Sequence, residues 1–172
     1  MKLKFGLAAA LLHFSSLAAA SSTLSPRVFR DGCDGNTLQS AEESALPSAA
    51  KILAQARIMT VEQHTVLIGG CWDYIDEVWK RAGFPSEKRR IVFKSRKRGP
   101  FAQAGLIQPG DWLYFVNHSY GDIEHSALFV GWADKERLQA YMLSYAGQER
   151  AETARYKLYD LSGVYWIIRA KG

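Results

Sequence analysis

The chain has 172 residues, 22 Lys and Arg against 17 Asp and Glu, and 48% hydrophobic residues. This length suits one domain with its own hydrophobic core, and the composition excludes a disordered or low-complexity chain. The sequence also lacks the internal repeats that mark solenoids and propellers.

Residues 1–20, MKLKFGLAAALLHFSSLAAA, are typical of an export signal. Two lysines precede an apolar stretch, and Ala18 and Ala20 form a signal peptidase site. The apolar stretch is shorter than the roughly 20 residues that span a bilayer, and polar residues interrupt it. We therefore expect cleavage after Ala20, no transmembrane segment in the mature chain, and a periplasmic or secreted protein.

Residues 21–47 are rich in Ser, Gly, Asp and Pro and have little apolar periodicity, which predicts a linker or N-terminal arm. Residues 48–172 then form the globular domain. Apolar residues at helical spacing predict a first helix over residues 49–58. A second helix is predicted to begin at Cys71 or Trp72 and to end near Ala82. Its buried face is formed by Tyr74, Ile75, Val78 and Trp79, and its stop signals are Gly83 and Pro85.

Four strands are predicted after the helices, at residues 112–116, 125–132, 138–146 and 163–170. Their short connections favour antiparallel neighbours. Because the helices come first and the strands follow, the pattern predicts an α+β domain with helices packed on one face of an antiparallel sheet.

Cys71 and His125 are the candidate catalytic pair. The free N–H groups at the start of a helix stabilise a thiolate at Cys71, and His125 begins the apolar run HSALFVGW. A nucleophilic thiol and a histidine base are the two groups that thiol acyl transfer needs. Two alternatives stay open: a buried structural Cys71, or a disulfide between Cys71 and Cys33 that would leave a non-catalytic wall-binding or structural domain.

Seven basic residues lie in one segment, KRRIVFKSRKR at residues 88–98. This segment indicates either a contact for an anionic wall polymer or membrane surface, or a solvated loop. It lacks the context of a nucleic-acid-binding module, and the chain has neither a zinc-binding signature nor a phosphate-binding loop. We expect no metal, no cofactor, no nucleic acid, and a monomer.

The order of these motifs resembles the NlpC/P60 superfamily of papain-like cell-wall hydrolases, relatives of the CHAP amidases. The resemblance rests on the Cys71 helix, on LIQPGDWLYF and on HSALFVGW, and covers residues 50–170. It implies a papain-like fold with N-terminal helices on an antiparallel sheet of about four to six strands. Residues 48–172 would then be the catalytic domain, with Cys71 as nucleophile and His125 as general base and acid. The substrate would be an amide bond of a peptidoglycan stem peptide. The chain is a divergent member, because Gly70 precedes its cysteine and Trp72 follows, where the family has Asp and Ser.

The family also places a third polar residue on the strand after its histidine. The matching region here, YMLSYAG, offers Ser144 by position and Tyr145 as the alternative. Three further residues are candidates for substrate contact. Trp72 could line the cleft or the core, His118 lies in a turn at the rim, and His64 could assist the oxyanion or only cap local structure.

Overall fold

The computed structural model describes residues 28–172; the predicted export signal and residues 21–27 of the predicted arm lie outside the described residues. The described part contains three α-helices followed by six strands, which confirms the α+β class. The helices are α1 (Gly35–Ser44), α2 (Pro47–Arg57) and α3 (Cys71–Arg81); the strands are β1 (Arg89–Lys94), β2 (Trp112–Asn117), β3 (Ile123–Asp134), β4 (Gln139–Ser144), β5 (Arg155–Asp160) and β6 (Val164–Ala170). Among residues 28–172, no helix is both long and apolar enough to cross a bilayer.

The strands form a single sheet in the order β1-β6-β2-β3-β4-β5, and every neighbouring pair is antiparallel. The four predicted strands are therefore confirmed as β2, β3, β4 and β6. Strands β1 and β5 were not predicted, because both are rich in charged residues and bury few of their side chains. They occupy the two edges of the sheet, where half-exposed strands are tolerated.

The helices cover one face of the sheet, as predicted. Alternation along a strand sends neighbouring side chains to opposite faces, so β2 and β3 contribute to two separate cores. The core on the helix side includes Ile52, Leu53, Ile75, Val78, Trp79, Trp112, Leu128 and Val130. The core on the other side includes Leu113, Phe115, Ala127, Phe129, Met142, Tyr159 and Ile167.

Residues 28–47 differ from the expected linker or arm, because they are part of the folded domain. The Asp34 carboxylate caps α1 by accepting a hydrogen bond of 2.8 Å from the Thr37 N–H. Leu38 of this helix is buried in the helix-side core, together with Val28 and Cys33. These three buried side chains are five residues apart and form no periodic pattern, so the sequence alone did not predict that this segment is folded.

Candidate active site

Cys71 is the first residue of α3, with Gly70 in the capping position. The Asp73 carboxylate closes the first turn by accepting a 2.7 Å hydrogen bond from the Gly70 N–H. The first N–H groups of any α-helix have no acceptor within the helix, and they give this end a partial positive charge. The Cys71 thiol is free and partly exposed, so it lies at the positive end of α3 within reach of a ligand.

The loop before α3 is held against the loop after β4. The Gly69 N–H donates to the Gln148 side chain at 3.0 Å, and the Gly69 carbonyl accepts from the Gln148 N–H at 3.1 Å. The Tyr145 hydroxyl donates to the Leu67 carbonyl at 2.7 Å and accepts from the Leu67 N–H at 3.1 Å. These four bonds fix the start of α3, and with it the position of the thiol.

Gly69 cannot be replaced without strain at this point. Its φ is +116°, and an added Cβ would collide with the Asp73 carboxylate that closes the first turn of α3. We expect Gly69→Ala to lower the free energy of unfolding by about 1–3 kcal/mol and to slow alkylation of Cys71, because the first turn of α3 must shift. Gly70→Ala is the matched control, since its Cβ would contact nothing within 4 Å. Urea unfolding and iodoacetamide kinetics measure both effects, and equal behaviour of the two variants would contradict the prediction.

His125 lies at the start of β3 in a mostly buried polar cluster. Its Nε2 is 2.6 Å from the Ser144 hydroxyl and 3.3 Å from that of Tyr159, which donates to Ser144 at 2.8 Å. The imidazole also packs edge-on against Phe115. Burial, assisted by the positive charge of Lys157, lowers the pKa of His125 from 6.5 to about 4. The ring is therefore neutral at pH 7 and able to accept a proton.

Cys71 and His125 line the same open cleft, but no hydrogen bond joins them in the described part of the chain. The Cys71 sulfur instead accepts a 3.5 Å hydrogen bond from the Ser126 hydroxyl. Residues 125 and 126 are neighbours on β3, so Ser126 points toward α3 while the imidazole reaches toward Ser144. The Nδ1 atom of His125 has no hydrogen-bond partner among residues 28–172. The structure thus brings His125 and Ser144 together, whereas the Cys71 thiol, in the cleft that His125 also lines, contacts Ser126.

The cleft at Cys71 has a volume of about 630 Å³ and is mainly aromatic and basic. Trp72 is 48% exposed and lies in the wall of this cleft, which agrees with the first of the two positions expected for it, the cleft wall rather than the core. On another wall the Lys94 ammonium lies 4.0 Å from the centre of the Trp166 ring. Glu124 is engaged by Lys97 and accepts a 2.6 Å hydrogen bond from the Tyr165 hydroxyl. The cleft therefore offers flat apolar surfaces and cationic groups next to the thiol.

The other candidates lie outside this cleft. The His118 ring is exposed and bonds the Asp122 carboxylate at 2.7 Å, and the His64 ring is exposed without a hydrogen-bond partner in residues 28–172. Tyr145 is buried and holds the loop at Leu67, so Ser144 is the residue of this pair that contacts His125.

Cys33 is buried, and it is free. Burial raises the pKa of the Cys33 thiol to about 12, which keeps it protonated and unreactive. The alternative of a disulfide between Cys33 and Cys71 is not found, because both cysteines carry free thiols.

Two polar residues of the site were not identified from the sequence. Tyr159 was missed because its strand, β5, was not predicted. Ser126 was passed over for the neighbouring histidine, although alternation along a strand places residues 125 and 126 on opposite faces. The choice between those faces depends on which one α3 covers, and only the tertiary structure gives that answer.

The lowered pKa of His125 predicts a pH dependence of stability. The unfolded chain binds a proton at His125 below about pH 6.5, whereas the folded protein binds it only near pH 4. The contribution of His125 is complete above pH 6.5 and falls by up to about 3 kcal/mol as the pH decreases to 4. We expect the free energy of unfolding of His125→Gln, measured by urea titrations between pH 4 and pH 7, to lack this dependence on pH. His64→Gln, at an exposed ring without a hydrogen-bond partner among residues 28–172, is the control and keeps the dependence of the unfolding free energy on pH; an unchanged dependence in His125→Gln would contradict the prediction.

Comparisons with models of protein families, with curated proteins and with solved structures gave no match. The fold class therefore follows from the arrangement of helices and strands described above, and the function is argued from the site itself.

Proposed function

We propose that the protein is an exported cysteine hydrolase with a papain-like fold of the NlpC/P60 type, and that it cleaves an amide bond in peptidoglycan stem peptides. One observation carries the proposal: a free thiol on the first residue of α3 opens into a cleft that His125 also lines, and Ser144 holds the Nε2 of that histidine. A thiol at a helix start and an oriented neutral imidazole are the groups of a cysteine nucleophile and its base.

In the productive tautomer, His125 carries its proton on Nε2 and donates it to the Ser144 oxygen. The Ser144 oxygen also accepts a hydrogen bond from the Tyr159 hydroxyl, so two donors hold this oxygen in place, and the oxygen in turn orients the imidazole. Nδ1 is then the atom that accepts the thiol proton. A neutral ring at pH 7, which the lowered pKa of His125 supports, is the form required for this step.

The sulfur of Cys71 attacks the amide carbonyl as its proton passes to Nδ1. Free N–H groups at the start of α3 stabilise the negative charge on the carbonyl oxygen. The imidazolium then returns the proton to the leaving amine, which breaks the C–N bond and leaves a thioester on Cys71. Water adds to the thioester, releases the carboxylic acid and restores the thiol.

Because Ser126 and His125 point to opposite faces of β3, this mechanism requires the first residues of β3 to turn when substrate binds, so that Nδ1 of His125 replaces the Ser126 hydroxyl beside the sulfur. Catalytic hydrogen bonds often form only in the substrate complex, and a thiol–hydroxyl contact of 3.5 Å is weak enough to give up.

The choice of peptidoglycan rests on the family resemblance and on the chemistry of the cleft. Its aromatic walls suit an extended peptide or sugar, and Lys94 and Arg96, which line it, suit the carboxylates of stem peptides. Two bonds are candidates: the γ-D-glutamyl-diaminopimelate bond and the bond between muramic acid and L-alanine.

Digestion of purified peptidoglycan by the mature protein tests this proposal. We expect soluble fragments whose masses include one added water per cut and identify which of the two bonds is broken. Fragments that carry an added acceptor in place of water would identify a transferase that uses the same thioester. Binding to the wall without any release of fragments would refute the hydrolase and support a wall-binding domain.

A further inference from the structure

A second cavity, of about 390 Å³, opens beside His125 at the end of the sheet. Strand β5 forms one wall, the end of β4 with Ser144 forms another, and the loop that contains Arg150 covers one side. Among the described residues, this β5 cavity shares only His125 with the cleft of Cys71. It is therefore a separate recess that reaches the imidazole from a different direction.

The charges that line the β5 cavity are all positive. Arg150, Arg155 and Lys157 face it, and none of the described lining residues is Asp or Glu. Arg155 pairs with Glu152, which does not line the cavity. Lys157 and Arg150 form no ion pair with a carboxylate in the described part of the chain. Two cations without an ion-pair partner among residues 28–172, Arg150 and Lys157, in a concave site whose described lining has no carboxylate give the cavity a positive potential.

Neutral hydrogen-bonding groups accompany these cations. The hydroxyls of Ser144, Tyr159 and Thr153 line the same cavity. The Lys157 ammonium lies 4.6 Å from the centre of the Tyr159 ring, which orients it beside the cluster at His125. A guanidinium, an ammonium and hydroxyl groups form a donor set that suits the oxygens of a carboxylate or a phosphate.

We propose that the β5 cavity binds a small anionic ligand, through a carboxylate or phosphate group held between Arg150 and Lys157. The site goes beyond the proposed hydrolase, because anion binding requires no turnover at Cys71. A bound anion would also offset the positive charge that Lys157 places near His125. Occupancy of the cavity would therefore change the environment of the imidazole.

Isothermal titration calorimetry on the intact mature protein at pH 7 and low ionic strength tests the site. The probes are succinate and inorganic phosphate, and they distinguish a carboxylate ligand from a phosphate ligand. We expect saturable binding of at least one probe with one site per chain. The Arg150→Gln/Lys157→Gln variant should bind that probe at least about tenfold more weakly, since it lacks both charged hydrogen-bond donors that hold the anion.

The matched control is Lys135→Gln/Arg137→Gln, which removes the same charge from the exposed turn between β3 and β4. It should bind like the wild type. Lys157→Gln alone provides a second variant with a smaller change, should the double variant fail to fold. Failure of both probes to saturate, or equal weakening in the control, would overturn the proposal. Binding without peptidoglycan cleavage would refute the hydrolase and leave this site standing.

Discussion

Replacing Cys71 with alanine is expected to reduce the release of peptidoglycan fragments by at least about 10³-fold, with the fold intact. The loss follows because the proposed mechanism passes through a thioester on this sulfur, and removal of a catalytic nucleophile costs an enzyme a factor of this order or more. The thiol is partly exposed and lies at the start of α3 outside the hydrophobic cores, so its removal leaves no buried cavity. The initial rate of fragment release, followed by mass spectrometry, measures the effect.

Cys33→Ala is the matched control for this experiment. It removes the other thiol, which is buried in the helix-side core and kept protonated by its raised pKa. We expect this variant to lose some stability and to keep its rate of fragment release. Alkylation at neutral pH should label the wild type and Cys33→Ala at one site and leave Cys71→Ala unlabelled. Full activity in Cys71→Ala would end the assignment of the nucleophile.

The second large effect is expected from Arg169→Met, which should lower the free energy of unfolding by about 3–5 kcal/mol. The Arg169 guanidinium binds both carboxylate oxygens of Asp111 at 2.7 Å and also donates to the Leu106 carbonyl at 2.6 Å. Asp111 is fully buried, so the substitution leaves an unpaired carboxylate in the interior. Urea unfolding measures the change.

Arg81→Met provides the comparison for this ion pair. Arg81 also binds a carboxylate at 2.8 Å, that of Glu77, but both side chains are partly exposed. Its loss should cost under about 1 kcal/mol, because water screens a surface pair. The double variant Asp111→Leu/Arg169→Met should recover part of the stability lost by Arg169→Met. A loss in Arg169→Met no larger than that in Arg81→Met would contradict the role given to the buried pair.

Elements with strong local patterns could be predicted from the sequence. The apolar face of α3 has spacings of three and four, and Gly83 follows its end, so its bounds agreed within one residue. Strands β2 and β3 were found because they are rich in apolar and aromatic residues. Helix α1 was not predicted because it buries one side chain, Leu38, and a single apolar residue gives no helical periodicity in the sequence. The same reason applies to β5, which buries Tyr156 and Tyr159 between charged residues.

The sequence predicted which residues belong to the candidate site, but only part of their arrangement in space. The position of Cys71 at a helix start follows from local sequence, and so does the placement of His125 at the start of a strand. The hydrogen-bond partners of these side chains cannot be derived from local sequence. Whether Ser126 or His125 faces α3, and whether Tyr159 reaches Ser144, depends on sheet register and on which face the helices cover.

Strand β1 carries the exposed Arg90 and Lys94 along an open edge of the sheet, in a segment whose charge suggested a surface for anions. An edge strand has unpaired N–H and C=O groups, which invite another chain to extend the sheet. Repulsion between two such cationic edges opposes that extension when copies of the protein meet. Neutralising these side chains would therefore favour self-association through intermolecular strand pairing.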